Sequence, residues 1–563
     1  MGGVSSIVRK RSVVWRLFLG LVIISLLLAG CGQKPQSAKP NETAKTETGE
    51  KIIVDGLFEE PNKLNPILGP SMTYQTMVIQ TMFSGLVTIK PDGSMVPDLA
   101  TEVPSVGNGL ISKDGLTYTF KLKKGVTWSD GQPFTSQDVK FTWETIMNPD
   151  VVPLSTVGYD QVASVETPDA STVVFHLKKP YPPFLSRWAG PIIIPEHVWS
   201  KVPPKEINNS EMNIKPKVTL GPFNFGEWAN GDHITMVKNP KYFGEPAKAD
   251  KIVFRIIPDQ NAQLAAIQNG DINVYYFAPI TQYKQLQNIS GVDIHLLKVP
   301  VWWEHMVINL KNPILQDIRV RQALNYAIDK NVLINQVWQG LAVASSSPIA
   351  PATWAAPKDL EPYPFDPKKA AQLLEEAGWK MGSDGYRHKD GKVLELVIST
   401  TAKNPWREQS EKIFQDMYKS VGIKLTIRNV DAATFFGSLL KSGKPGTEQG
   451  GWDLAEFQSA TSYDPGVSLA QRFHTRSFPD KGGSNYGYYA NPEVDKLLDK
   501  VNTTVDEKER LAMFRQLAQS LRDDPACVYL YLPYEINATR GMTGYVPTAW
   551  GVDTWNVATW QKR

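Results

Sequence analysis

The sequence has little cysteine and few long apolar runs, and each scarcity excludes a class of protein. Two cysteines in 563 residues exclude a disulfide framework. One apolar run stands out, at the extreme N-terminus, which excludes a polytopic membrane protein. Apolar residues make up 42% of the chain and charged residues 21%, as in an ordinary soluble globular protein. At about 100–200 residues per domain, the length predicts about three domains.

The charge balance gives no reason to expect a nucleic acid partner. Lys and Arg number 60 against 57 Asp and Glu, but four of the basic residues fall in residues 1–30, which contain no acid. The rest of the chain has 56 basic and 57 acidic residues, a net charge of −1. A near-neutral body has no general attraction for a phosphate backbone.

The N-terminus is typical of an export signal. Arg9, Lys10, Arg11 and Arg16 precede an apolar stretch at 17–28, which is too short to span a bilayer comfortably. The next residues, ending in Gly30 and Cys31, resemble the bacterial lipobox, in which the cysteine thiol is diacylated and becomes the new N-terminus. We therefore predict a lipoprotein signal peptide at 1–30, lipidation of Cys31 and a flexible tether at 31–50. The alternative is an uncleaved signal anchor with an incidental cysteine.

Motifs for catalysis are missing. No pair among the seven histidines is spaced i, i+4, so zinc chemistry of the HExxH type is absent. Neither a Gly-x-Ser-x-Gly elbow nor a phosphate-binding P-loop occurs. The sequence therefore predicts no enzyme and no cofactor. His305 beside Glu304 is the one pair that suggests a metal ligand, and a polar residue at a strand edge is the favoured interpretation.

Local patterns predict a mixed α/β chain. A strand is expected at 51–57 and a helix at 74–85, and Thr135 and Ser136 before Asp138 are typical of a helix cap. Residues 317–337 carry an apolar stripe at helical spacing. Cys527 lies in an apolar, strand-like run, which indicates a buried free thiol.

Five blocks, in order, resemble the extracellular solute-binding proteins, family 5, which are oligopeptide and dipeptide receptors of ATP-binding-cassette (ABC) importers. The first reads Leu116-Thr117-Tyr118-Thr119-Phe120 and continues through the Asp130-Gly131 turn to Phe141. The blocks fall at residues 97–142, 239–243, 266–272, 317–330 and 488–498. Together they cover the chain from about residue 51 to its C-terminus.

The resemblance implies an α/β type II periplasmic-binding-protein fold, with two lobes joined by a hinge and an extra domain, three domains in all. Ligand would bind between domains I and III, which close over it. Two chain crossings, near 299 and 526, would form the hinge. The implied boundaries are 51–85, 196–298 and 527–563 for domain I, 86–195 for domain II, and 299–526 for domain III.

The same resemblance indicates where a ligand would be held. An extended peptide would pair with main-chain groups, supplied on one side by the loop at Gly69, Pro70 and Ser71. On the other side the corresponding strand runs through Ser459, Ala460, Thr461 and Ser462, where Gln458 or Ser459 replaces the family's usual tryptophan. Trp302 could stack on a ligand or pack the hinge, and Tyr534 is a candidate for the cleft floor.

Asp464 is the acid nearest the end of that strand. It could answer the positive charge of a peptide amine, or accept local hydrogen bonds in an Asp464-Pro465-Gly466 turn. The sequence leaves the two interpretations even.

Taken together, the sequence predicts a lipid-anchored receptor on the extracytoplasmic face of the cell membrane. It would capture peptides and deliver them to the permease and ATPase subunits of an ABC importer, and it is expected to be a monomer. Nickel, haem, an opine or an oligosaccharide are alternative ligands. A surface hydrolase or peptidase is the alternative of another class.

The lipobox generates a direct test. Because thiol acylation precedes cleavage, Cys31→Ser should leave a precursor that is neither acylated nor processed between Gly30 and Cys31. Wild-type protein is expected in the detergent phase on Triton X-114 partition. Wild-type protein that stays aqueous, with a mass that shows no acylation, would contradict the lipoprotein prediction.

Overall fold

Two large β-sheets form the frame of the protein. The computed structural model describes residues 49–69 and 73–563. The signal peptide, the lipidation residue Cys31, nearly all of the tether, and Pro70 and Ser71 of the predicted ligand loop lie outside the described residues.

The first sheet has seven strands drawn from three separate parts of the chain. Ile52–Leu57 lies near its centre and pairs in parallel with Val274–Tyr275 and Lys251–Ile256. Its order across the sheet is Val292–Leu297, Glu535–Arg540, Val274–Tyr275, Ile52–Leu57, Lys251–Ile256, His233–Lys238 and Phe223–Ala229.

The second sheet has six strands, all between residues 342 and 533 except one. The exception, Trp302–Ile308, is central and pairs antiparallel with a strand on each side. The order across the sheet is Ala342–Ala344, Cys527–Pro533, Trp302–Ile308, Leu454–Ala460, Glu395–Ser399 and Lys424–Ile427. The Leu454–Ala460 strand is called the ligand strand below, because it contains part of the predicted ligand segment.

The chain crosses between the two sheets twice. The first crossing, at 298–301, agrees with the prediction of about 299. The second was predicted near 526 and lies at Tyr534, because the Cys527–Pro533 strand still pairs with Trp302–Ile308 in the second sheet. The first sheet receives the chain only at Glu535–Arg540. An apolar sequence marks Cys527–Pro533 as a strand, but its partner is set by the tertiary fold.

A third, three-stranded sheet lies in the part of the chain between the first strand of the frame and residue 220. Its central strand, Thr172–Leu177, pairs antiparallel with Thr117–Lys121 and Val162–Asp169. Its apolar residues form a core of their own with Trp128, Phe184 and Trp188. The smaller sheets comprise Val87–Ile89 with Met95–Pro97; Lys380–Met381, Arg387–Lys389 and Lys392–Val393; and Met542–Thr543 with Gln561–Lys562.

Helices cover the faces of the sheets. The longer α-helices are Thr73–Met82, Ser136–Met147, Gln260–Asn269, Ile318–Tyr326, Pro367–Glu376, Pro405–Ser420, Pro465–Phe473, Pro492–Val501 and Glu507–Asp523. The short α-helices are Glu196–Trp199, Pro204–Ile207, Tyr283–Gln287, Pro313–Gln316, Lys330–Gln336, Ala432–Thr434 and Leu440–Ser442. Short 3₁₀ turns lie at Tyr159–Gln161, Pro182–Trp188, Glu211–Asn213, Ile280–Gln282, Thr475–Ser477, Pro479–Lys481 and Asp553–Thr559, and Phe435–Leu439 is a π-helix.

Side-chain caps decide where several helices begin. Thr135 accepts a hydrogen bond from the Gln137 amide (3.2 Å), and Asp138 accepts one from the Thr135 amide (2.8 Å), which confirms the predicted cap. The stretch predicted as one helix at 317–337 is two helices. Asp329 accepts a hydrogen bond from the Asn331 amide (3.0 Å) and starts the second one.

One apolar core spans both large sheets. Ile536 and Ala538 of the first sheet belong to the same buried cluster as Val528 and Leu530 of the second. Separate clusters fill the far face of each sheet. The two crossings and the residues beside them are therefore fixed in position by a packed apolar core that the two sheets share.

Candidate functional site

The ligand strand has a free edge where the sequence predicted main-chain contacts with a ligand. One edge pairs along its length with Trp302–Ile308, with Trp302 opposite Ala460 and Trp303 opposite Ser459. On the other edge, Glu395–Ser399 pairs with only Leu454 and Ala455. Among the described residues, no strand pairs with that outer edge from Glu456 to Ala460.

The register shows which groups point to the free edge. The Thr461 amide donates to the Val301 carbonyl (2.9 Å), so residues 461, 459 and 457 exchange their hydrogen bonds with the neighbouring strand. The alternate residues, Gln458 and Ala460, therefore present N–H and C=O groups to the outer edge. Glu456 fits this pattern, because its carbonyl accepts a hydrogen bond from the Thr400 hydroxyl (2.8 Å) on that side.

The end of the ligand strand is fixed by hydrogen bonds. The buried Thr461 hydroxyl donates to the Pro348 carbonyl (3.2 Å) and accepts from the Ala350 amide (3.2 Å). The Ser462 amide donates to the Ser468 hydroxyl (3.2 Å). Trp302, opposite Ala460, is 40% exposed and leaves an aromatic face open beside the strand. The structure thus brings together the predicted residues Trp302 and Ser459–Ser462.

Asp464 is committed to a structural partner. Its two carboxylate oxygens accept hydrogen bonds from the Arg510 guanidinium at 2.8 and 2.7 Å, and both side chains are buried. Asp464 also accepts a hydrogen bond from the Gly466 amide (3.2 Å) as the N-cap of the Pro465–Phe473 helix. This geometry favours a structural role for Asp464 in the turn over a role in binding a peptide amine, because Arg510 already neutralises its negative charge.

A cavity of about 730 Å³ lies beside the Asp464–Arg510 pair. This size falls within the range of small-molecule sites. One wall comes from residues between 93 and 186, and the other from Trp354 and the chain that follows the ligand strand. Tyr463 joins the walls, since its hydroxyl donates to the Gly93 carbonyl (3.1 Å). Lining residues include Gly93, Tyr118, Pro182, Trp354, Tyr463 and Arg510.

Two other predicted residues lie apart from this group. Gly69 has a left-handed φ of +89°, and its neighbour Leu68 bridges Pro153. No contact joins Gly69 to the ligand strand within the part of the chain that is described. Tyr534 is half-buried at the second crossing, where its amide donates to the Leu341 carbonyl (2.9 Å). Its part in a cleft floor stays a prediction.

Buried charge beneath the ligand strand was not foreseen. Glu304 pairs with Arg407 at 2.8 Å, and both are buried in the second sheet's core. Burial raises the pKa of Glu304, and Arg407 opposes that shift. Glu456 is buried too, and neither of its carboxylate oxygens has a hydrogen-bond partner. Burial, reinforced by the Glu304 charge, raises the pKa of Glu456 well above its ordinary value.

A third carboxylate, Glu411, completes this cluster. Burial raises the pKa of Glu411 to about 7, against the opposing hydrogen bond that Asn429 donates to it (2.7 Å). One arginine thus faces three carboxylates, and protons must be held on the excess acids. The sequence carried a signal for this, because acids at 304 and 456 interrupt two apolar strands.

The interpretation of His305 as a strand-edge residue is wrong. His305 lies in the central strand of the second sheet, is buried, and stacks on Trp303 with ring centroids 3.9 Å apart. The strand that contains His305 has a neighbouring strand on each side, so His305 lies in the interior of the sheet. The predicted buried free thiol of Cys527 is confirmed. No group of three or more His, Cys, Asp or Glu side chains in 49–69 and 73–563 is arranged to hold a metal ion.

The same described ranges contain no helix with the length and apolar character needed to cross a bilayer.

The fold matches solved structures over nearly its whole length. The oligopeptide-binding protein AppA from Bacillus subtilis, in complex with a nonapeptide, has a TM-score of 0.72 and 28% identity, covering 91% of this chain and 99% of that one. NikZ from Campylobacter jejuni, in complex with Ni(L-His), has a TM-score of 0.75 and 28% identity, covering 91% and 100%. The two-sheet frame is therefore the type II periplasmic-binding-protein fold.

Sequence comparison gives the particular family. The profile of the bacterial extracellular solute-binding proteins, family 5 (middle region), matches residues 94–476. The oligopeptide-binding protein AppA of Bacillus subtilis (strain 168) is 29% identical over 535 residues, covering 93% of this chain and 94% of that protein. The chain belongs to the extracellular solute-binding proteins, family 5. It is a substrate-binding protein of the ABC importer type, with an extracytoplasmic location and a non-enzymatic role at the level of the family.

The raised pKa of Glu411 generates a pH prediction. Between about pH 4.5 and 7 the native carboxyl keeps a proton that the unfolded chain has released, so stability falls as pH rises through this window. Glu411→Gln, which removes this titration, should reduce the loss of unfolding free energy between pH 5 and 8 by about 2 kcal/mol relative to wild type. Urea unfolding at both pH values measures it. The exposed Glu448→Gln is the control, and equal pH slopes for wild type and Glu411→Gln would contradict the assignment.

The Asp464–Arg510 pair generates a second prediction. Asp464→Asn leaves a buried guanidinium without its carboxylate and should lower the unfolding free energy by about 3–5 kcal/mol. Adding Arg510→Met should recover part of this loss, because the unpaired charge is removed. Urea midpoints measure both variants, with the exposed Asp480→Asn as control. Unchanged stability together with lost affinity for free-amine peptides would instead support the amine-binding role.

Proposed function

We propose that the protein is a lipid-anchored receptor that captures peptides between two closing lobes and delivers them to the permease and ATPase subunits of an ABC importer. The observation that carries this proposal is the unpaired outer edge of the ligand strand. An extended peptide adds to such an edge as a further strand. Its main chain, rather than its side chains, then supplies most of the hydrogen bonds.

The position of the free edge supports the proposal. Gln458 and Ala460 lie at the end of the strand nearest the crossing at 298–301, and Trp302 lies exposed on the adjacent strand. Backbone pairing needs no particular side chain, so the loss of the family's usual tryptophan at Gln458 or Ser459 leaves it intact. The AppA structure that this chain matches contains a nonapeptide.

The two crossings support a hinge between the lobes. We assign domain I to 51–85, 196–298 and the chain after Tyr534, domain II to 86–195, and domain III to 299–533. The last boundary differs from the predicted 526 because Cys527–Pro533 pairs within the second sheet. A ligand that touches both lobes favours the closed form through contacts that the open form lacks.

The remaining parts of the proposal rest on the sequence. Lipidation of Cys31 would hold the receptor on the extracytoplasmic face of the membrane, with 31–50 as the tether. Gly69, Pro70 and Ser71 would supply main-chain contacts from domain I. The receptor would act as a monomer, and neither nucleic acid nor a cofactor takes part.

Nickel, as a chelate, is the second candidate ligand. The specific observation in its favour is the likeness to NikZ, solved with Ni(L-His), at the same 28% identity as AppA. A nickel chelate needs few protein ligands and would occupy the same interlobe space.

Native mass spectrometry separates the candidates. Protein purified without refolding should release a ladder of peptide masses on denaturation. The released peptides are then synthesised and their affinity is measured by calorimetry on ligand-stripped protein. Nickel or a nickel chelate in place of peptides would contradict the peptide assignment.

Two variants at one position test the free edge. Ala460→Pro removes the N–H that faces the edge and should weaken peptide binding about tenfold, the scale of one hydrogen bond. Ala460→Val keeps the N–H and should bind within about threefold of wild type. Equal affinity of both variants would show that the peptide does not pair with this edge.

A further inference from the structure

A second, smaller cavity lies on one face of the second sheet. Its volume is about 220 Å³, and we call it the Arg472 cavity. It is formed by the central strands, the Pro465–Phe473 helix and the loop around residue 485. Its lining includes His305, Phe436, Phe457, Arg472, Ser484 and Tyr486.

Arg472 places a positive charge without an ion-pair partner in this cavity. Its guanidinium donates one hydrogen bond to the Ser468 carbonyl (3.2 Å) and forms no ion pair with any carboxylate in the described chain. Arg472 is half-buried, whereas the buried Arg407 and Arg510 each have a carboxylate partner. Burial lowers the pKa of Arg472 to about 10, so the group is still charged at neutral pH. A charge that is partly withdrawn from water without a counter-charge is costly, and an anion in the cavity would reduce that cost.

The neighbouring titratable groups do not supply that counter-charge. Burial, with a further contribution from Arg472, lowers the pKa of His305 well below its ordinary value, so the imidazole is neutral. Burial raises the pKa of the Cys527 thiol far enough to keep it protonated. His305 Nδ1 is buried without a hydrogen-bond partner. No Asp or Glu is among the residues that line the cavity.

The walls define what kind of anion would fit. Phe457 packs edge-on against Phe436, with ring centroids 5.6 Å apart, and also against His305 at 4.8 Å. Phe436 is 40% exposed, and Gln471 and Ser484 are exposed, so the mouth opens to solvent at these residues. A single guanidinium balances one negative charge, and the aromatic walls favour an apolar body.

We propose that the Arg472 cavity is a binding site for a small monocarboxylate, whose carboxylate pairs with Arg472 and whose apolar body lies against Phe436 and Phe457. Gln458 and Ser459 of the ligand strand also line this cavity, so the site adjoins the free edge, and the proposal deepens the proposed function, on which it rests. The pairing forms in the planar, two-pronged geometry that guanidinium and carboxylate share.

Ligand-observed ¹⁹F NMR on the full processed protein tests this. The probe is 4-fluorobenzoate, and 4-fluorobenzamide is its uncharged counterpart. Wild-type protein should bind the acid saturably and at least tenfold more tightly than the amide. Arg472→Met should bind the acid at least tenfold more weakly than wild type. Arg515→Met, which removes an exposed arginine elsewhere in the same sheet-covering layer, should bind within twofold of wild type.

A second variant keeps the test decisive if Arg472→Met does not fold. Ser484→Trp places a bulky ring at the exposed mouth and should abolish binding of 4-fluorobenzoate without touching the charge. Absence of saturable binding to wild type, equal binding of acid and amide, or full binding by Ser484→Trp would each overturn the proposal. Peptide release in the native mass spectra is an independent result, so failure here leaves the interlobe function standing.

Discussion

The two strand crossings between the large sheets constrain everything else in this molecule. Val292–Leu297 pairs with Glu535–Arg540 in the first sheet, and the strands that continue from them, Trp302–Ile308 and Cys527–Pro533, pair in the second. Both connections therefore run side by side as one interrupted ribbon. The second sheet is connected to the first sheet through this ribbon. The free edge, the buried acids and both cavities therefore keep their positions relative to the ribbon.

The long-range pairing within the ribbon also explains which features could be predicted from the sequence and which could not. Local signals were sufficient where one element decides the outcome: the Thr135 cap and the buried Cys527 both follow from neighbouring residues. The partner of Cys527–Pro533 depends on a strand more than two hundred residues away. No local pattern contains that information, and the second crossing was placed too early for this reason.

The same distinction applies to the site. The resemblance predicted which strand would contact a ligand, and the structure places Trp302 opposite Ala460 of that strand as a consequence of antiparallel register. The state of Asp464 was left open, because Arg510 lies 46 residues further along the chain. His305 was misread because a histidine in an apolar stretch looks the same at the edge and at the centre of a sheet. Only the neighbours on both sides distinguish the two.

Polar groups inside the second sheet carry a cost that packing must offset. Glu304 has Arg407 as partner, whereas Glu456 has no hydrogen bond to either carboxylate oxygen. A neutral, protonated acid is the least costly state of such a group. The sheet tolerates it because large apolar clusters cover both faces. A rise in pH that ionises the excess acids therefore lowers the stability of the sheet.

The outer edge at Gln458 and Ala460, with which no strand of the described chain pairs, has a consequence for the empty protein. Exposed strand edges are templates for pairing with any other chain, including a second copy of the same one. An occupant that fills the edge also removes that template. If a ligand adds to this edge as proposed, its removal in the laboratory would leave the edge free to pair, and self-association at high concentration would be a property of the vacant receptor rather than of the loaded one.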